Sequence, residues 1–151
     1  MRVTDTMTAN PVTVRLEDTL RTALAQMHEH HCRRLPVVNT DGALVGIITD
    51  RDTRLALHSP FVLHGRWEEQ VLLDSVKVRA CMTSAPIIIE PTADVEDAIR
   101  LMLLHRIGGL PVLRGETIVG IVTSTDVMTA FVRYMRSQNF QVMLPTPCSE
   151  T

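Results

Sequence analysis

The chain has 151 residues, enough for one ordinary domain or two very small ones. Lysine and arginine total 15 against 17 acidic residues, a net charge of −2, which gives no electrostatic reason to expect nucleic acid or an anionic membrane as partner. Hydrophobic residues at 45 % exclude wholesale disorder, and aromatics at 3 % leave a core of aliphatic residues and methionine and no stacking platform for single strands.

The opening run Met1 to Thr6 has no apolar h-region and is not expected to be a secretory signal. The apolar stretches Leu44 to Ile48 and Leu101 to Leu104 are far short of the about 18 residues that span a bilayer. Cys32, Cys81 and Cys148 are scattered and odd in number, so a reducing compartment is the simplest setting. A soluble cytoplasmic protein is expected.

In chain order, Met7-Thr8 and Pro11 precede an extended run, Val12 to Val14. Leu20, Ala23, Leu24 and Met27 then follow the i, i+3, i+4, i+7 spacing of one helix face, with Thr19 placed as N-cap. Two β-rich runs, Leu35 to Val38 and Leu44 to Thr49, flank the turn Asn39-Thr40-Asp41-Gly42. A short helix is expected near Thr53 to Leu57. Residues 58–75, with Pro60, Gly65 and the only tryptophan, Trp67, read as a connection, helical from about Trp67 to Leu73.

From Val78 the pattern restarts. A shift of 75 positions lays Val3 on Val78, Met7-Thr8 on Met82-Thr83, Pro11 on Pro86, Ala23 on Ala98, Met27 on Met102 and Leu35-Pro36-Val37 on Leu110-Pro111-Val112. After one residue is lost in a turn, a shift of 74 lays Val45-Gly46-Ile47 on Val119-Gly120-Ile121, Thr49 on Thr123 and Asp52 on Asp126. The second copy accordingly predicts an extended run Ile87 to Ile89 and a helix on Val95, Ala98, Ile99 and Met102 with Asp94 as N-cap. Strands Leu110 to Leu113 and Ile118 to Thr123 follow, then a helix near Thr125 to Arg136 with Val127, Ala130, Phe131 and Tyr134 on one face. The unit is β-α-β-β-α. About 50 residues bury too little surface to be comfortable alone, so two copies are expected to share one core and form a pseudo-twofold cleft. The final stretch reads as a tail whose Phe140, Val142, Met143 and Leu144 pack on their own domain or on a partner.

The duplicated Gly-apolar-apolar-Thr-x-x-Asp, as Gly46 to Asp52 and Gly120 to Asp126, together with Leu35-Pro36-Val37 and Leu110-Pro111-Val112, resembles the cystathionine β-synthase (CBS) domain; two in tandem resemble a Bateman module. The resemblance covers roughly residues 1–135 and implies an α+β (α/β) fold of two CBS repeats. Boundaries of 1–57 and 76–136 are expected for the repeats, with a linker at 58–75 and a tail at 137–151. It further implies a stand-alone regulatory module, not an enzyme, that takes AMP, ADP, ATP or a relative in the cleft, controls an unidentified partner protein and forms a homodimer. The candidate binding residues are Val12, Arg33, Arg34, Thr49, Arg51, Asp52, Ile87, Thr123, Thr125 and Asp126.

The residue chemistry agrees with this without requiring it. Gly46 allows another group close to the strand backbone. Thr49 ends a strand, and the free N–H groups of the following helical turn favour an anion such as a phosphate. The Asp52 carboxylate suits a ribose diol. Thr-x-x-Asp is equally the pattern of a capping box, which duplication would copy too. The copies differ in charge: Arg33, Arg34 and Arg51 correspond to Gly108, Gly109 and Thr125. One phosphate-binding pocket is therefore expected to be stronger, with the shared cleft leaving open which one the arginines serve. The alternative is a solvated arginine patch and a dimerisation or docking module with a vestigial cleft.

Other signals are discounted. His28 and Cys32 have metal-ligand spacing but no second ligand pair, and no metal or cofactor is expected. Cys81 corresponds to Thr6 and has no indicated base. No Walker loop, nucleophile elbow or His-Glu-x-x-His is present.

Overall fold

The computed structural model describes residues 1–58 and 65–138, and the repeated pattern read from the sequence is present in both halves. A 3-10 turn at Val3–Asp5 opens the chain, followed by β1 (Thr8–Ala9), β2 (Val14–Arg15), α1 (Leu20–Glu29), β3 (Arg34–Val38), β4 (Leu44–Thr49) and α2 (Asp50–Leu57). Then come α3 (Arg66–Ser75), α4 (Val78–Cys81), β5 (Thr83–Ser84), α5 (Val95–His105), β6 (Gly109–Arg114), β7 (Thr117–Thr123) and α6 (Ser124–Ser137). The expected linker helix is α3, and α2 starts three residues earlier than its apolar pattern indicated because Thr49 caps it directly from the strand. Pro60 of the connection and the apolar tail residues Phe140, Val142, Met143 and Leu144 lie outside the described residues, as does Cys148.

Each repeat builds an antiparallel hairpin, β3–β4 or β6–β7, with the same irregularity in register: between Val37 and Val38 in the first, Val112 and Leu113 in the second. Glycines at φ +78° (Gly42) and +63° (Gly115) turn the two hairpins, a backbone region where a Cβ is unfavourable. The extended run that precedes the helix lies parallel to the hairpin, as β2 on β3 and as the single bridge Ile89↔Val112.

The first strand of each repeat belongs to the other repeat's sheet. β1 pairs antiparallel with β7, Thr8 opposite Ile121, and β5 pairs with β4, Thr83 opposite Ile47. The two sheets therefore run β2-β3-β4-β5 and β1-β7-β6. Gly46 and Gly120 mark the crossings. A Cβ on Gly46 would sit 2.9 Å from the Thr83 carbonyl oxygen and against the Met82 sulfur; one on Gly120 would sit 3.1 Å from the Thr8 carbonyl oxygen and against the Met7 sulfur. The close approach expected at Gly46 is thus used by the protein's own exchanged strand. The recurring Met-Thr has the same explanation, since each methionine fills the space its glycine leaves.

The expected single core is two clusters. One holds Val14, Leu20, Ala23, Met27, Leu35, Val37 and Ile48, closed by Val78 from the second repeat. The other holds Ile89, Ala98, Met102, Leu110, Val112 and Val122, closed by Val3 from the first. Each hairpin packs on its own helices, so the exchanged segments, rather than a common interior, join the halves. Of the proposed N-caps, Thr19 accepts from the Thr22 N–H, whereas the Asp94 side chain makes no cap bond. At that end the Val95 N–H donates to the Met1 carbonyl, as Leu20 N–H does to Val76, so the exchanged backbone satisfies the first donor of each helix. Helix α3 is held on α1 by the Arg21 guanidinium, which pairs with Asp74 and donates to Gln70 Oε1 at 2.8 Å. No comparable element among the described residues covers α6, where Met128 and Phe131 are each 60 % exposed. Tyr134, placed on the same face as Phe131 by its spacing, is exposed with them. No described helix is long and apolar enough to cross a membrane.

Candidate functional site

The two strand-to-helix junctions are near copies of each other. Thr49 (φ −117°, ψ 162°) and Thr123 (φ −121°, ψ 163°) end β4 and β7 in extended conformation, and the next residue begins a helix. At the first, Thr49 N–H and Oγ1–H donate to Asp52 Oδ2 at 2.9 and 2.8 Å, and Asp52 N–H donates to Thr49 Oγ1 at 3.2 Å. The second has the same three bonds, at 2.8, 2.7 and 3.3 Å between Thr123 and Asp126. The capping box is therefore formed twice. It consumes only one carboxylate oxygen. Oδ1 of Asp52 and of Asp126 accepts no hydrogen bond among the described residues, so capping and ligand binding do not compete for the same atom. A further backbone bond ties each helix start to the adjoining strand's approach: Asp50 N–H to Arg33 carbonyl at 2.9 Å, Ser124 N–H to Gly108 carbonyl at 3.0 Å.

A cavity of about 670 Å³ opens beside the second junction. Thr123, Ser124, Thr125 and Asp126 line one side, and His30, His31, Cys32, Arg33 and Arg34 of the first repeat line the other. Thr8, Asn10, Pro11, Val12 and Ile121 complete it. Of the sequence candidates, Val12, Arg33, Arg34, Thr123, Thr125 and Asp126 thus converge. Thr49, Arg51, Asp52 and Ile87 do not line this cavity; the first three sit at the other junction. The arginines of one repeat face the motif of the other because the hairpin β3–β4 delivers them across the cleft. The guanidiniums of Arg33 and Arg34 and the N-terminus of a 14-residue helix give the cavity a positive wall.

Arg34 is half-buried. Burial pushes its guanidinium below the ordinary value, while the charges of Asp50 and Asp126 oppose that and Arg33 adds to it. Its side chain lies over Gly108 and Gly109, where an added Cβ would be 2.7 and 2.8 Å from guanidinium nitrogens. The arginine-to-glycine difference between the repeats is therefore a spatial complement: one copy reaches and the other makes room.

Asn10, His30 and His31 line the cavity although they belong to neither repeated motif. Asn10 and His31 carry positive φ (49° and 52°), as do their repeat mates Ala85 and Arg106 (47° and 54°), so each repeat holds a left-handed residue at the same two positions. Asn10 before a proline was the available signal. His30 is the C-cap of α1 and His31 its left-handed exit, and no group of three or more His, Cys, Asp or Glu among the described residues gathers to hold a metal. Burial pushes the thiols of Cys32 and Cys81 up, with the Asp52 charge adding to the effect at Cys81, so neither favours the thiolate a nucleophile needs. A second cavity of about 430 Å³ lies on the far side of Asp126, lined among others by Thr6, Thr129, Arg133 and Tyr134. Thr6 Oγ1 is buried there without a described partner.

Comparison with known proteins agrees with this architecture. The family model described as CBS domain matches twice, at residues 3–59 and 78–133. A CBS domain-containing protein of Dictyostelium discoideum is 38 % identical over 130 residues, covering 85 % of this chain and 90 % of that protein. The crystal structure of the CBS domain pair of protein MJ0100 in complex with 5′-methylthioadenosine and S-adenosyl-L-methionine superposes with a TM-score of 0.76 at 27 % identity, covering 89 % of this chain and 98 % of that one. CBSX2 in complex with AMP superposes at 0.73 and 28 % identity, over 87 % of this chain and 97 % of that one.

Proposed function

The chain belongs to the CBS domain family as a pair of CBS repeats, and we propose that it is a non-catalytic, ligand-sensing module that binds an adenosine-containing nucleotide and thereby controls a partner protein. The observation that carries this reading is the meeting of Arg33 and Arg34 with Thr123, Thr125 and Asp126 around one cavity. Asp126 Oδ1 accepts from the ribose diol. The Thr125 N–H, which has no bond among the described residues because Ser124 and Asp126 N–H are taken by the Gly108 carbonyl and Thr123 Oγ1, takes phosphate with the guanidinium of Arg33 or Arg34. Val12 supplies apolar wall to the base. Thr49, Arg51, Asp52 and Ile87 serve a second site at the other junction. The adenosyl ligands of MJ0100 and CBSX2 support the ligand class, with AMP, ADP and ATP as the first candidates. No metal or organic cofactor is needed for this role. Free Cys32 and Cys81 are consistent with a cytoplasmic setting.

Control of a partner requires that nucleotide favour one arrangement of the repeats, or of two chains, over another. We take the second chain to be another copy, seated on the apolar stripe Met128, Phe131 and Val132 that α6 leaves exposed.

A thermal-shift screen against AMP, ADP, ATP and S-adenosylmethionine tests the reading. Ligand at 100 times its dissociation constant adds about 2.7 kcal/mol, or roughly 5–10 °C for a chain of this size. Asp126→Ala is expected to lose most of the shift and Asp52→Ala less, with sedimentation velocity on the same samples reporting a dimer. A shift with none of the four in the wild type rejects nucleotide sensing in favour of a docking module.

A further inference from the structure

We propose that Arg34 is a single cation shared by the two nucleotide sites, so that a phosphate bound at one weakens binding at the other. The inference rests on the nucleotide reading above and goes beyond it by assigning a coupling between the sites to one side chain. The backbone of Arg34 belongs to the first junction: it pairs with Thr49 across β3 and β4. Its guanidinium belongs to the second: it lies over Gly108 and Gly109, and Gly109 pairs with Thr123 across β6 and β7. The side chain therefore spans the space between the two Thr-x-x-Asp motifs. The repeat supplies no second arginine to match it, since the equivalent positions are the glycines it rests on.

The group is uncommitted. Among the described residues its guanidinium makes no hydrogen bond or ion pair, although Asp50 at the start of α2 and Asp126 at the start of α6 both act on it electrostatically. Five N–H donors in a planar fork can hold one phosphate in a bidentate pair. They cannot hold one at each junction in that way, because a bidentate pair commits the fork to one side, and Asp50 and Asp126 draw the group towards different junctions. Without Arg34, and with only Arg33 or Arg51 beside it, a second phosphate would face the repulsion of the first across a half-buried space. By linkage the penalty is reciprocal, whichever site fills first.

Calorimetric titration with AMP of wild type, Asp126→Ala and Asp126→Ala combined with Arg34→Gln decides the matter. The Asp52 site in Asp126→Ala is expected to bind about 5-fold or more tighter than the second step of the wild type, because its neighbour is empty and Arg34 is free. Arg34→Gln, added to Asp126→Ala, is expected to abolish that gain. A single step in the wild type, with the Asp52 site binding only once Asp126 is removed, is the same coupling at its limit. Equal constants for the Asp52 site in wild type and Asp126→Ala overturn the proposal, as does a gain that survives Arg34→Gln. Two normal, independent steps overturn the coupling alone; no AMP uptake by the wild type overturns the nucleotide reading with it. Melting curves of each variant, and Arg34→Lys in place of Arg34→Gln, separate loss of the fork from loss of the fold.

Discussion

The junctions at Thr49 and Thr123 agree in backbone angles to within a few degrees and in hydrogen-bond pattern bond for bond, yet their surroundings differ. Beside Asp126 stand two arginines and two histidines from the opposite repeat. Under the repeat, the positions facing Asp52 are His105, Arg106, Gly108 and Gly109. Duplication kept what the backbone needs, a strand end capped into a helix, and let the reaching side chains diverge. The scaffold is symmetric and the charge is not. The helical surfaces differ in the same way: α3 is pinned on α1 through Arg21, while α6 keeps Met128 and Phe131 in solvent.

Three perturbations sharpen the comparison. The largest effect is expected from Leu35→Ala and Leu110→Ala, equivalent and fully buried positions in the two cores. Each removes about 2–5 kcal/mol. Because each core is closed by a valine of the other repeat, either variant should still lose both halves in one urea transition; two separate transitions would break the view that the exchanged segments couple them. A smaller effect, about 1–3 kcal/mol, is expected at the glycine crossings. Gly46→Ala should cost more than Gly120→Ala, since the backbone oxygen it meets is nearer, 2.9 against 3.1 Å. The reverse order in matched melts would count against these crossings as the points of closest contact. The smallest effect belongs to Arg21→Ala, whose ion pair with Asp74 is solvent-exposed. The hydrogen bond from Arg21 holds the Asp74 carboxyl below the ordinary carboxylate range. A depressed carboxylate stabilises the fold above its unfolded value and loses that contribution as pH falls through its folded value. The small difference between wild type and Arg21→Ala should therefore be present at neutral pH and vanish in acid; a difference that grows on acidification contradicts the pairing.

Much of this was legible because it is local. The stripe Leu20, Ala23, Met27 and its copy Val95, Ala98, Met102 are buried as their spacing predicts, and both hairpins lie within a residue of their apolar runs. The exchange of first strands was not legible. A two-residue strand has no period to detect, and Met-Thr names no partner; only the glycine it approaches does, from the far end of the chain. The four-residue helix α4 escaped for the same reason. Thr-x-x-Asp reads as either a cap or a ligand site; the cap is formed at both junctions on Oδ2, which leaves Oδ1 for the proposed ligand. Which junction the arginines face depends on how the β3–β4 hairpin sits against the second repeat, a tertiary fact that no spacing along the chain contains.

The exchanged strands also bear on how such a chain is made. A ribosome releases residues from the N-terminus, so β1 and Val3 emerge first and must wait for Ile121 and Leu110 before they have a sheet edge or a core to join. The β3–β4 hairpin keeps an open edge until Thr83 appears. Early contacts in sequence are thus late contacts in folding, the long-range closure that slows a chain and exposes its edges meanwhile. A break placed between the repeats would not release two modules but two halves, each carrying the strand that completes the other.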